Sequence, residues 1–260
     1  MNGMSAEKLH VHRYGPAQPP RLLLIHGLTG HGQRWKTLAE QHLPDVAVLA
    51  PDLLGHGRSS WAAPWTLDAN VAALSSLLER PALVVGHSFG AAVALNLAAA
   101  HPDLVSGLVL LDPAVELDGQ WMREIADNMM ASPDYPDPDE ARAEKVHGSW
   151  GEVAATELDR ELDEHLIELA GGRYGWRISI PAMMAYWSEL ARPVALPRKG
   201  TPTVLVRATR THPPYARDEL ISALATRLGS DFALADWDCD HMVAQAKPAE
   251  TAKLIREQLA

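Results

Sequence analysis

The stretch Ala82-Leu83-Val84-Val85-Gly86-His87-Ser88-Phe89-Gly90, followed without a break by Ala91-Ala92-Val93-Ala94-Leu95, decides how the rest of the chain is read. A short apolar run between Pro81 and Gly86 reads as a buried strand, and the Ala/Leu-rich run from about Ser88 to Ala100 reads as a helix. Between them, Gly-x-Ser-x-Gly leaves almost no chain in which to turn from one to the other. So sharp a turn strains the serine backbone, demands small residues two positions either side and pushes the hydroxyl out above the sheet. There it sits at a helix N-terminus, which favours developing negative charge. Ser88 is therefore a candidate nucleophile. A plain Gly/Ser turn with an N-capping serine is the competing reading, and the strand and helix flanks argue against it.

Outward from this turn, short apolar runs alternate with helix-prone stretches, as expected of βα units around a parallel sheet. The runs are Leu22 to Ile25, Val46 to Ala50, Ala82 to Val85, Leu108 to Leu111, Thr203 to Val206 and Phe232 to Ala235. Helices are predicted over Gly32 to His42, Thr66 to Glu79, Arg217 to Leu228 and Pro248 to Leu259, and an antiparallel edge strand over His10 to Tyr14. The rhythm breaks between about Glu116 and Arg192, where the chain is acidic, helix-prone and punctuated by Ser-Pro-Asp-Tyr-Pro-Asp-Pro-Asp at 132 to 139. The expected fold is α/β, a mostly parallel central sheet with helices on both faces. A helical segment, 116–192, is inserted between core segments 1–115 and 193–260.

Two further motifs point at the same crevice. His26-Gly27-Leu28-Thr29-Gly30 follows a predicted strand. A glycine-rich turn there can leave a backbone N–H unpaired, so the Leu28 and Phe89 amides are the expected oxyanion donors. His241 lies in a loop after the last predicted strand, in Asp238-Cys239-Asp240-His241. That is where a general base belongs when nucleophile, acid and base follow in that order, although any one of 12 histidines is otherwise an ordinary surface or core residue.

Composition narrows the partners. At 260 residues with 47% hydrophobic and 22% charged residues, the chain can bury a substantial core. A formal net charge of −10 without a basic run disfavours nucleic acid and anionic lipid. The one cysteine, Cys239, excludes an internal disulfide and paired-cysteine zinc sites, and fits a reducing cytoplasm. Met1 to His10 lack the apolar stretch of a signal peptide, and no run is long enough to span a bilayer, so neither export nor membrane insertion is expected. Nothing calls for a metal or organic cofactor.

Together these residues resemble the α/β-hydrolase superfamily over nearly the whole chain. Ala50-Pro51-Asp52-Leu53-Leu54-Gly55-His56-Gly57-Arg58-Ser59 looks like its D-x-x-G-x-G-x-S segment, and His101-Pro102-Asp103 through Leu111-Asp112-Pro113 looks like its helix-to-strand passage. The resemblance implies a serine hydrolase with no cofactor, in which 116–192 is a helical cap and Asp52 is structural. One departure stands out. After Thr203 to Val206, relatives place the triad acid in a turn like R-G-x-x-S-D, whereas this chain reads Arg207-Ala208-Thr209-Arg210-Thr211-His212. Some members supply the acid from the end of the preceding strand, which here is Asp112. Asp112 could equally cap the Pro113 turn, and Asp240 is a further alternative.

The expected activity is cleavage of an ester-like bond in a small, largely apolar molecule, since the insertion concentrates Trp121, Trp150, Trp176, Trp187 and the pairs Met129–Met130 and Met183–Met184. Part of this set must be the segment's own core. Carbon–carbon bond hydrolysis and cofactor-free haloperoxidase-like chemistry use the same residues, and a hydrolase-like binding protein that has lost turnover is the alternative of another class. Dehalogenases and epoxide hydrolases need an aspartate at position 88. Arg123, Arg142 and Arg173 are expected to face solvent.

Overall fold

A computed structural model describes residues 9–260, so the expectation for the first residues falls, through residue 8, outside it. The chain runs β1 (Val11–Tyr14), β2 (Leu22–Ile25), β3 (Val48–Pro51), α1 (Leu67–Ser75), β4 (Ala82–His87), α2 (Phe89–Ala100) and β5 (Val105–Leu111). It then leaves the sheet for α3 (Gly119–Ala131), α4 (Pro138–His147), α5 (Ala155–His165), β6 (Leu166–Glu168), β7 (Tyr174–Trp176) and α6 (Ile180–Glu189). It returns through β8 (Thr203–Ala208), α7 (Asp218–Leu228), β9 (Phe232–Trp237), α8 (Val243–Ala246) and α9 (Pro248–Leu259).

The main sheet has seven strands in the order β1-β3-β2-β4-β5-β8-β9. β1 is antiparallel at one edge and every other pairing is parallel. A parallel sheet covered on both sides explains why its strands read as unbroken apolar runs. Side chains alternate between the faces. Leu23, Ile25, Val84, Leu108 and Leu110 pack with Leu74 of α1, Leu95 of α2 and Leu224 of α7. Leu22, Leu24, Leu83, Val85 and Val109 pack on the other side with Trp35, Leu38 and Ile255 of α9. Ser88 therefore follows a strand in the middle of the sheet, and the chain after β5, β8 and β9 emerges at the same C-terminal edge, where open α/β sheets place their sites.

One expectation is refined and one is corrected. Gly32 to His42 is helical throughout, though as a 3-10 turn, Gly32–Trp35, that passes into a wider π-type stretch, Leu38–His42, and not as a regular α-helix. The Gly32 N–H donates to the Asp52 carboxylate at 2.7 Å, which ties the segment's start to the end of β3. The 116–192 insertion is not wholly helical: β6 and β7 form an antiparallel hairpin. Its turn holds Gly171 and Gly172, both at positive φ, the backbone that lets such a hairpin close. Two helices of the insertion, α3 and α4, start where the sequence provides an aspartate cap. Asp118 accepts from the Trp121 amide and Asp137 from the Glu140 amide, both at 2.9 Å, and Pro138 opens α4.

Asp52 holds a turn. Its carboxylate accepts from the amides of Gly32 (2.7 Å) and Arg58 (2.8 Å) and lies 3.2 Å from His12 Nε2. No described helix is long and apolar enough to cross a membrane.

Candidate active site

The elbow forces an unusual backbone on Ser88, with φ 53° and ψ −118°. Strain of this kind costs about 1–3 kcal/mol and persists only where the surroundings over-determine it. They do so here: a Cβ on Gly86 would lie 2.4 Å from the Gly90 carbonyl oxygen, and one on Gly90 would lie 2.4 Å from that of Ile25. Because both obstacles are backbone, neither can rotate away. Gly86→Ala is therefore expected to destabilise the protein by about 1–3 kcal/mol. In a chain of this size that is a fall in Tm of several degrees, at about 2–4 °C per kcal/mol. A melt within a degree of wild type would mean that the elbow has slack.

The sheet brings the separated residues together. Ser88 and His241 line one cavity of about 160 Å³ with Leu28, and Asp112 lies fully buried behind the imidazole. Asp112 Oδ2 is 2.6 Å from His241 Nδ1. Its other oxygen accepts from the Ala208 amide at 3.3 Å, and its own N–H donates to Val206 O at 2.7 Å. The Asp112 backbone has φ 42°, so the Pro113 turn directs the carboxylate towards β8 and the histidine. Asp240 does not address the imidazole. Its Oδ1 accepts from the backbone N–H of His241 at 2.6 Å and from Thr211 Oγ1 at 3.3 Å. His212 is exposed on the loop after β8.

With Nδ1–H donated to Asp112, His241 keeps Nε2 as its free base. Ser88 Oγ makes no hydrogen bond to any described residue, the looser geometry common before substrate tightens a site. The Leu28 and Phe89 N–H groups likewise have no acceptor among the described residues. Neither backbone donor is thus committed elsewhere.

Several residues of the site carry no local signal in the sequence. His87, the second residue of Gly-His-Ser-Phe-Gly, donates from Nε2 to His241 O at 2.7 Å; burial holds its pKa well below the ordinary value, so it stays neutral. Tyr215 lies 4.3 Å from the His241 ring, centroid to centroid, and stacks on Trp121 at 5.2 Å. Trp150, Trp187, Ser149 and Leu190 of the insertion complete the cavity wall. Beside it opens a larger chamber of about 670 Å³, which shares Thr29, Ser149, Trp150 and Trp187 with the cavity of Ser88 and His241. Ile125, Met129, Trp176, Ile178 and Ile180 make it mostly apolar, within the usual size range of ligand pockets.

Where the insertion meets the core lies a charged cluster. Glu161, 1% exposed, receives Lys145 Nζ at 2.5 Å, Arg34 Nη2 at 2.5 Å and His31 Nε2 at 2.9 Å. Arg34 and Lys145, with the hydrogen bond to His31, hold its pKa well below the carboxylate norm against the opposing effect of burial. Glu161→Gln would strand Arg34 and Lys145 without their anion. A loss of about 3–5 kcal/mol in denaturant unfolding is expected, as for other buried pairs broken on one side. A loss under 1 kcal/mol would show that water enters the cluster.

Arg123, Arg142 and Arg173 lie at the surface, paired with Asp127, Asp159 and Asp134. Among the described residues, the one histidine–carboxylate group with metal-ligand spacing is His10, His12 and Asp52. None of the three lines the catalytic cavity, and the Asp52 oxygens already hold the Gly32 and Arg58 amides.

Residues 22–254 match the alpha/beta hydrolase family. The chain is 62% identical to lipase LipV of Mycobacterium tuberculosis (strain ATCC 25618 / H37Rv) over 255 residues, 96% of this chain and 97% of that protein. Its fold is similar to that of E-2-(acetamidomethylene)succinate hydrolase, with TM-score 0.80 and 20% identity over 96% and 94% of the two chains. It is also similar to that of a marine microorganism esterase, with TM-score 0.75 and 21% identity over 96% and 99%. At those identities the two structures bear on the fold alone. The family match over most of the length, joined to this strand order and this elbow, means that the chain belongs to the alpha/beta hydrolase family.

Proposed function

We propose that this protein is a serine hydrolase of carboxylic esters in which Ser88 is the nucleophile, His241 the general base and Asp112 the acid. The observation that carries the reading is the 2.6 Å approach of Asp112 Oδ2 to His241 Nδ1 beside a cavity that Ser88 also lines. His241 Nε2 takes the Ser88 proton as Oγ attacks the ester carbonyl. The Leu28 and Phe89 amides receive the oxyanion. His241 then protonates the leaving alcohol, and water activated by the same imidazole releases the acid from Ser88. Asp112 fixes the tautomer and stabilises the imidazolium without itself taking the proton.

The similarity to a lipase along almost the full length favours esters over carbon–carbon bonds or perhydrolysis. The apolar chamber suits a small, largely apolar substrate, and residues 116–192 act as the cap that encloses it. His212, which stands where relatives carry the triad acid, is an exposed loop residue, so its presence does not favour a binding protein without turnover. The single, buried thiol of Cys239 fits a cytoplasmic location. Reaction with a fluorophosphonate probe, followed by peptide mapping, tests the proposal. The label should fall on Ser88 and p-nitrophenyl esters should be turned over; an unlabelled protein that leaves those esters intact would overturn it.

A further inference from the structure

The charged cluster between insertion and core is unbalanced. At neutral pH, Arg34 and Lys145 are two cations against the single buried carboxylate of Glu161, and the three side chains are 6%, 10% and 1% exposed. Glu144, the other acid that faces Lys145, also lines the large chamber, but it is exposed to water and accepts the Tyr135 hydroxyl at 2.9 Å. A buried charge is costly unless paired, so a chain that keeps a surplus cation out of water needs something to neutralise it. Arg34 is committed: Nε and Nη2 grip Glu161, Nη2 also donates to Thr29 O at 3.1 Å, and the guanidinium lies 5.2 Å from the Trp150 ring. Lys145 is not. Of its three N–H groups, only one finds an acceptor among the described residues, Glu161 Oε1.

Lys145 also lines the large chamber. Its ammonium sits 4.1 Å from the Trp176 ring centroid and 4.7 Å from that of Trp150, so two aromatic faces hold it in place without neutralising it. On the wall that the chamber shares with the catalytic cavity, Trp187 Nε1–H is buried with no acceptor among the described residues. Two donors thus await an acceptor in a mostly apolar chamber that adjoins the cavity of Ser88.

We infer that Lys145 is an anion subsite: the substrate is an ester whose apolar chain ends in a carboxylate, which enters the chamber and pairs with the Lys145 ammonium. The inference rests on the ester-hydrolase reading above and gives that reading a substrate class. Burial, partly opposed by Glu161, lowers the Lys145 pKa to about 8. The cation is present at neutral pH and lost as pH rises through that value. The charged groups facing it are Glu161, Arg34 and Glu144.

The test compares rates on paired substrates. Mono-p-nitrophenyl esters of straight-chain dicarboxylic acids, adipate through dodecanedioate, are set against p-nitrophenyl alkanoates of equal length. Acetates of ω-hydroxy acids set against acetates of plain alcohols cover entry by the alcohol side. At one chain length in one of the series, wild type should favour the carboxylate in kcat/KM by roughly tenfold to a hundredfold, the worth of one charge-assisted hydrogen bond. Lys145→Met should bring that ratio close to one, and Lys145→Arg should keep most of it. The wild-type ratio should also fall as pH passes about 8. The requirement for His241 is common to both esters and cancels in the ratio.

A ratio at or below one for every length in both series would overturn the inference while leaving the hydrolase reading intact. A high ratio that survives Lys145→Met would overturn the assignment to Lys145, as would loss of all turnover in both the Met and Arg variants. No turnover of any ester, with no fluorophosphonate label on Ser88, would sink the hydrolase reading and the subsite with it.

Discussion

Ser88→Ala is expected to lower kcat on p-nitrophenyl esters by a factor on the order of 10⁵–10⁶, the loss seen when the nucleophile of a triad is removed. The acyl-enzyme has no other atom on which to form: in the catalytic cavity, Ser88 is the hydroxyl raised on the strained elbow beside His241. Stability should hardly change, within about 0.5 kcal/mol, because the hydroxyl carries no hydrogen bond to any described residue. The variant should therefore melt with wild type and fail to take the fluorophosphonate label. Turnover within tenfold of wild type in a cleanly purified variant would remove Ser88 from the mechanism. An inactive variant with a much lower Tm would leave the loss attributable to folding, so the melt and the assay belong together.

The parts of the fold that were legible are those in which one residue's neighbours in sequence are also its neighbours in force. Leu22–Ile25 and Pro248–Leu259 have the bounds that apolar patterning and a helix-starting proline suggest. Each strand is apolar because both faces of the sheet are covered, and that pattern survives any detail of packing. The β6–β7 hairpin was not anticipated, because an acidic, helix-prone segment masks two three-residue strands. Its signal was Gly171-Gly172, which supplies the positive φ that no helix interior uses. Gly32 to His42 is helical as its composition suggests, but that Asp52, 20 positions away, accepts its first amide, one of those that no helix satisfies internally, is not visible in the pattern.

The site divides along the same line. Ser88, Leu28 and His241 were nominated by short motifs and chain order, because a strand–turn–helix elbow and a glycine-rich turn are local devices. The charged cluster offers no motif. Arg34, Lys145 and Glu161 come from three separate turns and helices, with Glu161 lying 127 positions from Arg34 and 16 from Lys145. Each alone looks like a solvated surface charge. Attention to charged residues of the insertion fell on Arg123, Arg142 and Arg173, which sit outside, while the cation on the chamber wall is Lys145. His87 was in view as the variable residue of the elbow, yet its grip on the His241 carbonyl follows from β4 and the loop after β9 ending side by side, which the pattern does not reveal.

Asp112→Asn is expected to lower kcat on the order of 10⁴-fold, close to the effect of His241→Ala. An asparagine fits the same space, but its amide cannot hold the Nδ1–H tautomer as an anion does, and it offers no charge to the imidazolium that forms as Ser88 attacks. The geometry makes Asp112 the acid under test: Oδ2 is 2.6 Å from Nδ1 and the side chain is fully out of water. Asp240→Asn is the informative control. That side chain accepts from the His241 backbone amide, which an asparagine oxygen can still do, so only the charge is lost and the cost should be much smaller, about 0.5–1.5 kcal/mol. If Asp240→Asn proves the more damaging, or if Asp112→Asn costs less than tenfold, the 2.6 Å contact is a structural hydrogen bond and His241 works without a buried anion behind it.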